Sequence, residues 1–187
     1  MYEKRDYSEL LGTPGFSDML LTDHFTLYEG YVKNVNSLLG KLAETGAETQ
    51  EGAELRRRFG WEWNGMRLHE LYFGNIRSGA EKLHEGKLRE RLITEYGSVE
   101  TWENDFRSVG AMRGIGWVIL TEDPENGGLL NTWVNEHDAG HLAGGRPVLV
   151  MDVFEHAYLR DYGIKRSEYI DAFMRSIDWN VAEKRLS

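Results

Sequence analysis

The sequence predicts an α+β protein: an N-terminal long antiparallel helical hairpin packed on a C-terminal half with a small three-stranded antiparallel sheet flanked by helices. Three observations carry this expectation. Apolar residues recur at threes and fours from about residue 17 to 44 and again from about 49 to 78. The pattern then becomes β-rich over Ile115–Thr121, Leu129–Val134 and Val148–Asp152. Helical patterns return after Glu155 and hold to Leu186. Residues 1–80 are accordingly expected to form a helical hairpin domain and residues 81–187 an α/β domain, with any site between them.

Each element has a local reason. A polar lead-in ends in the turn-like Gly12-Thr13-Pro14-Gly15, and Ser17 or Asp18 can cap the first helix. Along it Leu20, His24, Leu27, Tyr31, Val35 and Leu38 define one largely apolar face with a histidine embedded in it. The second helix starts near Thr49, with interruptions expected near Gly60 and Gly65, and ends in Met66, His69, Tyr72, Phe73 and Ile76. A short polar loop between two long helices makes them antiparallel neighbours. Residues 79–86 read as a connector, Lys87–Tyr96 as a helix, and Ser98 opens another that runs to about Met112. Asp123-Pro124-Glu125-Asn126-Gly127-Gly128 turns one strand into the next. The last helices cover Ser167–Ile177 and a short tail.

Composition excludes several classes. With 22 basic and 31 acidic residues the formal charge is −9, so nucleic acid and anionic membrane surfaces are not expected partners. The same field repels any anionic substrate unless local positive charge draws it in. Cysteine is absent, which removes disulfides, thiolate metal sites, iron–sulfur clusters and cysteine nucleophiles. The N-terminus lacks an apolar signal-like stretch and no run approaches membrane length, so a cytoplasmic protein is expected.

The segment Asp152-Val153-Phe154-Glu155-His156 follows an apolar run, Pro147–Met151. Were the chain helical here, Asp152 and His156, four apart, would project to one side. An unpaired carboxylate at the end of a buried strand is costly, and a metal ion or a salt bridge would relieve it. Two helices packed face to face could bring His24 and His69 to the same point. Any of these histidines taken singly also suits an ordinary core position, and His84, between Leu83 and Glu85, reads as solvated. Together, three imidazoles and a carboxylate suit a first-row divalent metal such as manganese or iron, with zinc admissible on ligand type.

At these residues the chain resembles the iron/manganese superoxide dismutase family. The resemblance is carried by Asp152-Val153-Phe154-Glu155-His156-Ala157-Tyr158, by Lys165–Phe173 and by Asp178-Trp179. Tyr31–Asn36, Gly97-Ser98 and Gly114–Trp117 match further landmarks, and the likeness spans roughly residues 17–185. It implies one manganese or iron ion per subunit held by His24, His69, Asp152 and His156, and disproportionation of superoxide to dioxygen and hydrogen peroxide. It implies Tyr31 at the mouth of the substrate funnel and Glu155 reaching across the interface of a homodimer, or higher homo-oligomer, to the partner's ligand histidine. Arg166 would supply guiding positive charge, and Trp117, with Trp133, would wall the pocket. The donor toward metal-bound solvent would be His137, with Glu136 and His141 as alternatives, and Gly65 stands where members using this remote donor carry glycine.

The departures are equally specific. Between the first ligand and Tyr31 the chain is one residue short, which suggests loss of a local π-bulge; an ungapped register would put Asp23 in place of His24. Leu27 stands where the family has a gateway histidine, and Leu159 where it has that histidine's tyrosine partner. Phe154 replaces a pocket tryptophan. Two rival readings follow: a catalytically degenerate metal-binding member acting as a structural subunit, and a different iron chemistry with two histidines and one carboxylate.

Overall fold

A computed structural model describes all residues, 1–187. Helices α1 (Asp18–Glu44) and α2 (Gln50–Gly74) form the antiparallel hairpin. Ser17 caps α1 by accepting the Leu20 amide on its hydroxyl at 3.0 Å, and Thr49 caps α2 by accepting that of Gly52 at 2.9 Å. Helix α1 is α-helical throughout, with no π turn between residues 24 and 31. Its buried residues are Leu20, Leu21, His24, Tyr28, Val32, Val35 and Leu38. The buried arc is therefore rotated from the expected face: Tyr28 lies inside, while Leu27 is 37% exposed. Helix α2 runs unbroken through Gly60 and Gly65, because its length packs against α1 and tertiary contact outweighs the low helix propensity of glycine.

Helices α3 (Lys87–Tyr96) and α4 (Val99–Gly110) follow the connector. Gly97 separates them at φ +82°, a left-handed value that ends α3 without a Cβ clash, and Ser98 caps α4. Strands β1 (Gly116–Glu122), β2 (Leu129–Asn135) and β3 (Arg146–Asp152) form an antiparallel sheet in the order β2-β1-β3. Every residue of the central strand β1 is buried, so the sheet is covered on both faces there. A 3₁₀ turn at Glu155–Ala157, then α5 (Leu159–Tyr162), α6 (Arg166–Arg175) and α7 (Trp179–Lys184), complete the chain. No helix is long and apolar enough to cross a membrane.

What positions the site is the junction of α2 with β3. Helix α2 stops short of the expected Ser78 because Asn75 leaves the helical ladder to serve the sheet. Fully buried, Asn75 donates its amide to the Val150 carbonyl at 3.1 Å and accepts the Val150 amide at 2.9 Å. It thereby satisfies the outward backbone groups of an edge strand as another strand would. Arg185 donates to the same Asn75 side chain and to the Leu71 carbonyl, fastening α7 to the junction. Replacing Asn75 by leucine leaves two buried backbone groups unpaired, at about 1–3 kcal/mol each. Urea titration of N75L should show a loss on the order of 3 kcal/mol, and a loss below about 1 would mean the clamp is not structural.

Candidate metal centre

Four side chains from both halves of the molecule converge. His24 comes from α1, His69 from α2, Asp152 from the end of β3, and His156 from the 3₁₀ turn that follows. One ligand-capable atom from each lies within 4.8 Å of all the others. Asp152 Oδ2 stands 3.2 Å from His24 Nε2, 3.1 Å from His156 Nε2 and 3.7 Å from His69 Nε2. Donor atoms bonded to one ion at about 2.0–2.2 Å are separated by roughly 3–4 Å, so these spacings suit a common centre.

Burial makes the arrangement costly without one. His24, His69 and Asp152 are 2%, 0% and 0% exposed, and His24 Nε2 and His69 Nε2 have no hydrogen-bond partner. Two orphaned imidazole nitrogens facing a buried carboxylate are what a cation would satisfy. Burial lowers the basicity of His24, and of His69 further, so both rings are neutral and their lone pairs available. Burial pushes the Asp152 carboxyl up, but the adjacent His156 and His24 imidazoles outweigh that and hold it below the usual carboxylate range. Three imidazoles and one carboxylate fit manganese or iron.

The surrounding chain aims each donor. Asp152 and His156 do not share an α-helix; an Asx turn brings them together instead. Asp152 Oδ1 accepts the Phe154 amide at 2.8 Å, which leaves Oδ2 toward the imidazoles. Tyr169, buried beneath, donates to the Asp152 carbonyl at 2.5 Å. On α2, His69 Nδ1–H donates to the Gly65 carbonyl at 2.5 Å, fixing the tautomer that bares Nε2. Asp23 points outward and pairs with Arg160 at 2.6 Å, so His24 is the residue that faces the cluster.

Around the cluster stands an aromatic shell. Trp117, fully buried, sets its ring edge-on to His69 with centroids 5.0 Å apart. Its indole N–H donates to His137 Nδ1 at 3.1 Å. The neutral ring therefore carries its proton on Nε2, which donates to the Tyr31 hydroxyl oxygen at 2.7 Å. That leaves the Tyr31 proton free for another acceptor. His137 is inside because Glu136, at φ +50°, takes a left-handed turn that Asn135 and Ala139 brace. The Glu136 side chain forms no hydrogen bond or ion pair with the cluster, and the exposed His141 donates to the His137 carbonyl at 2.9 Å. Phe154 stacks between His137 and His156, at 4.7 and 5.2 Å between centroids. Gly65 is required by Tyr31: a Cβ there would stand 2.6 Å from the tyrosine ring.

Other expected residues sit further out. Arg166 donates to the carbonyls of Met112 and Gly114 and to the Tyr158 hydroxyl, joining α6 to the loop before β1. Glu155 and Leu159 are exposed on the His156 side, Trp133 lies on β2 against Gly114, and His84 pairs with Glu183 at 2.6 Å. Sequence reasoning missed Trp61, whose ring meets His137 edge-on at 4.8 Å. Its spacing was a usable signal, since Trp61, Gly65 and His69 follow at intervals of four along one helix face.

Fold and centre together define a mononuclear metalloprotein with a three-histidine, one-aspartate site between a helical hairpin and a small sheet. Residues 84–185 match the model for the C-terminal domain of iron/manganese superoxide dismutases. The chain is 38% identical over 179 residues to an iron superoxide dismutase of Cupriavidus metallidurans, covering 92% of this chain and 89% of that one. It is 35% identical to a manganese superoxide dismutase of Haloferax volcanii, over 92% and 87% of the two chains. An iron superoxide dismutase of Aquifex pyrophilus is 32% identical over 98% and 90%. The chain belongs to the iron/manganese superoxide dismutase family.

Burial lowers the pKa of His137 to about 4 and also holds His24 and His69 down. In the unfolded chain these histidines take up protons near pH 6.5. A depressed histidine favours unfolding as pH falls through that value. The metal-stripped protein should thus hold a constant melting temperature above about pH 7 and lose stability progressively from about 6.5 to 4. A flat profile across that window would mean these rings are solvated.

Proposed function

We propose that this chain is a superoxide dismutase, using one manganese or iron ion to disproportionate superoxide: two superoxide anions and two protons give dioxygen and hydrogen peroxide. The observation that carries the reading is the pair of orphaned imidazole nitrogens facing Asp152 inside a His₃Asp cluster. The ion, when bound, supplies the one-electron redox change. The protein's own groups hold it, exclude bulk water and manage protons. His24, His69 and His156 present imidazole nitrogens, and Asp152 supplies one negative charge. Trp117 fixes the tautomer of His137, and His137 in turn holds Tyr31 by its oxygen, so the hydroxyl proton of Tyr31 is the one placed for transfer. Burial raises the Tyr31 pKa to about 12, so this proton is present across the physiological range.

A homodimer suits the exposed Glu155, Leu27 and Leu159, as the family's assembly would use that side. The rewritten rim also motivates a second reading, a metal-binding subunit without turnover. Metal analysis beside a superoxide-consumption assay separates the two: bound manganese or iron without activity would overturn the enzyme and leave the site standing. His69→Ala should lose the metal and all activity. Tyr31→Phe should keep the metal while lowering turnover by about 10²-fold, the low end of the range for a positioned proton donor. Gly65→Ala should retain metal yet displace Tyr31, reproducing much of the Tyr31→Phe defect, and wild-type turnover in it would refute the close approach.

A further inference from the structure

We infer that Arg58 is a positioning residue of this site: the cation that offsets the protein's negative field at the Tyr31–Trp61 face and draws the anionic substrate toward it. The inference rests on the dismutase reading above, and its geometry is independent of that reading. Residues 58, 61, 65 and 69 follow at spacings of three and four along α2, so Arg58, Trp61, Gly65 and His69 form one column from the surface to the cluster. The Arg58 guanidinium lies over the Trp61 ring, 5.1 Å from its centroid, and Trp61 meets His137 edge-on. Through one ring the cation is thus fixed beside the Tyr31–His137 pair. Both of those side chains feel it: Arg58 lowers the Tyr31 pKa against the raising effects of burial, Asp152 and Glu62, and adds to burial in lowering that of His137.

Arg58 is paired, but unevenly. Its guanidinium reaches Glu62 Oε1 at 2.6 Å, and Glu62 Oε2 accepts the Asn34 amide at 3.1 Å. The Glu62 side chain is 4% exposed and that of Arg58 56%, so the solvent side of the pair is positive and the negative side is sealed under the helix. The cation on the opposite flank, Arg160, differs. It pairs at 2.6 Å with Asp23, and both side chains are about half exposed, so no net charge is presented there. Arg166 is tied to two backbone carbonyls and to Tyr158. Against a formal charge of −9, Arg58 thus places an exposed positive charge on the α2 column that leads to Tyr31.

The test uses metal-loaded wild type, Arg58→Gln, Arg58→Lys and Arg58→Glu at equal metal content. Two quantities are read at fixed pH from about 0.01 M to 1 M salt: the second-order rate constant for superoxide loss, and azide affinity from the absorption of the bound metal. A single charge at about 10 Å in a water-like medium is worth roughly a factor of two, more where the medium is less polar. Arg58→Gln should lower both quantities about two- to fivefold at low salt. Arg58→Glu should lower them further, and Arg58→Lys should stay close to wild type. The differences should vanish near 1 M, where the screening length is about 3 Å. Equal loss in Lys and Gln, a loss that persists at 1 M, or no change in azide affinity in Gln at low salt would each overturn the proposal. Should wild type bind azide but consume no superoxide, the dismutase reading fails, and the azide series alone decides whether Arg58 attracts anions.

Discussion

The carboxylate of Asp152 is the constraint around which this molecule is organised. It is fully buried, ionised, and faced by three imidazoles, two of which turn an Nε2 without a hydrogen-bond partner toward the cluster. Such an arrangement is unfavourable in an apolar interior unless a cation completes it. Everything near it either aims a donor or keeps water out. The Asx turn divides the two oxygens of Asp152 between backbone and cluster, and Tyr169 pins its carbonyl. The Gly65 carbonyl orients His69. The fold supplies these constraints from elements far apart in sequence, which is why the site lies where hairpin and sheet meet.

The aromatic shell shows how one backbone position can determine several side chains. Gly65 both accepts from His69 and admits the Tyr31 ring. Tyr31 then meets His137, whose other nitrogen answers to Trp117. Along this chain each hydrogen bond fixes the direction of the next, and the free proton ends on Tyr31. The departures from the family pattern fall outside it. Leu27 and Leu159 are exposed at the rim, and Phe154 fills the space between two imidazoles by stacking. Leu27 and Leu159 thus lie apart from the hydrogen-bonded chain, whereas Phe154 packs directly against its His137.

Much of this was legible in the sequence, and the exceptions have physical reasons. Helix starts at Ser17, Thr49 and Ser98 could be read because capping is a local interaction. The four converging side chains could be read because imidazoles on apolar helix faces and a carboxylate after a buried strand are each locally anomalous. The buried arc of α1 could not be read well. Leucine at 27 and tyrosine at 28 are both apolar enough to pack, and only the position of α2 decides that Tyr28 faces it. The end of α2 at Gly74 depends on the needs of Val150, a strand residue far along the chain. The place of His137 depends on a left-handed Glu136, a conformation that no residue-type preference announces. Trp61 is hard to single out because Phe59 and Trp63 flank it on the same helix, and its place shows only when Gly65 and His69 are set in line with it.

The Asn75 clamp has a bearing on how such a protein can change. His69 lies near the end of α2, Asn75 is the residue that closes that helix, and Asn75 is locked to the strand that ends in Asp152. The interval between them therefore acts as a gauge, setting the distance between a donor of one half and a donor of the other. Insertions between residues 69 and 75 would rotate and shift one half's donors relative to the other's, whereas the irregular connector at residues 79–86 carries no such measure. Evolutionary length variation in this chain is thus expected to gather in the connector and to spare the gauge.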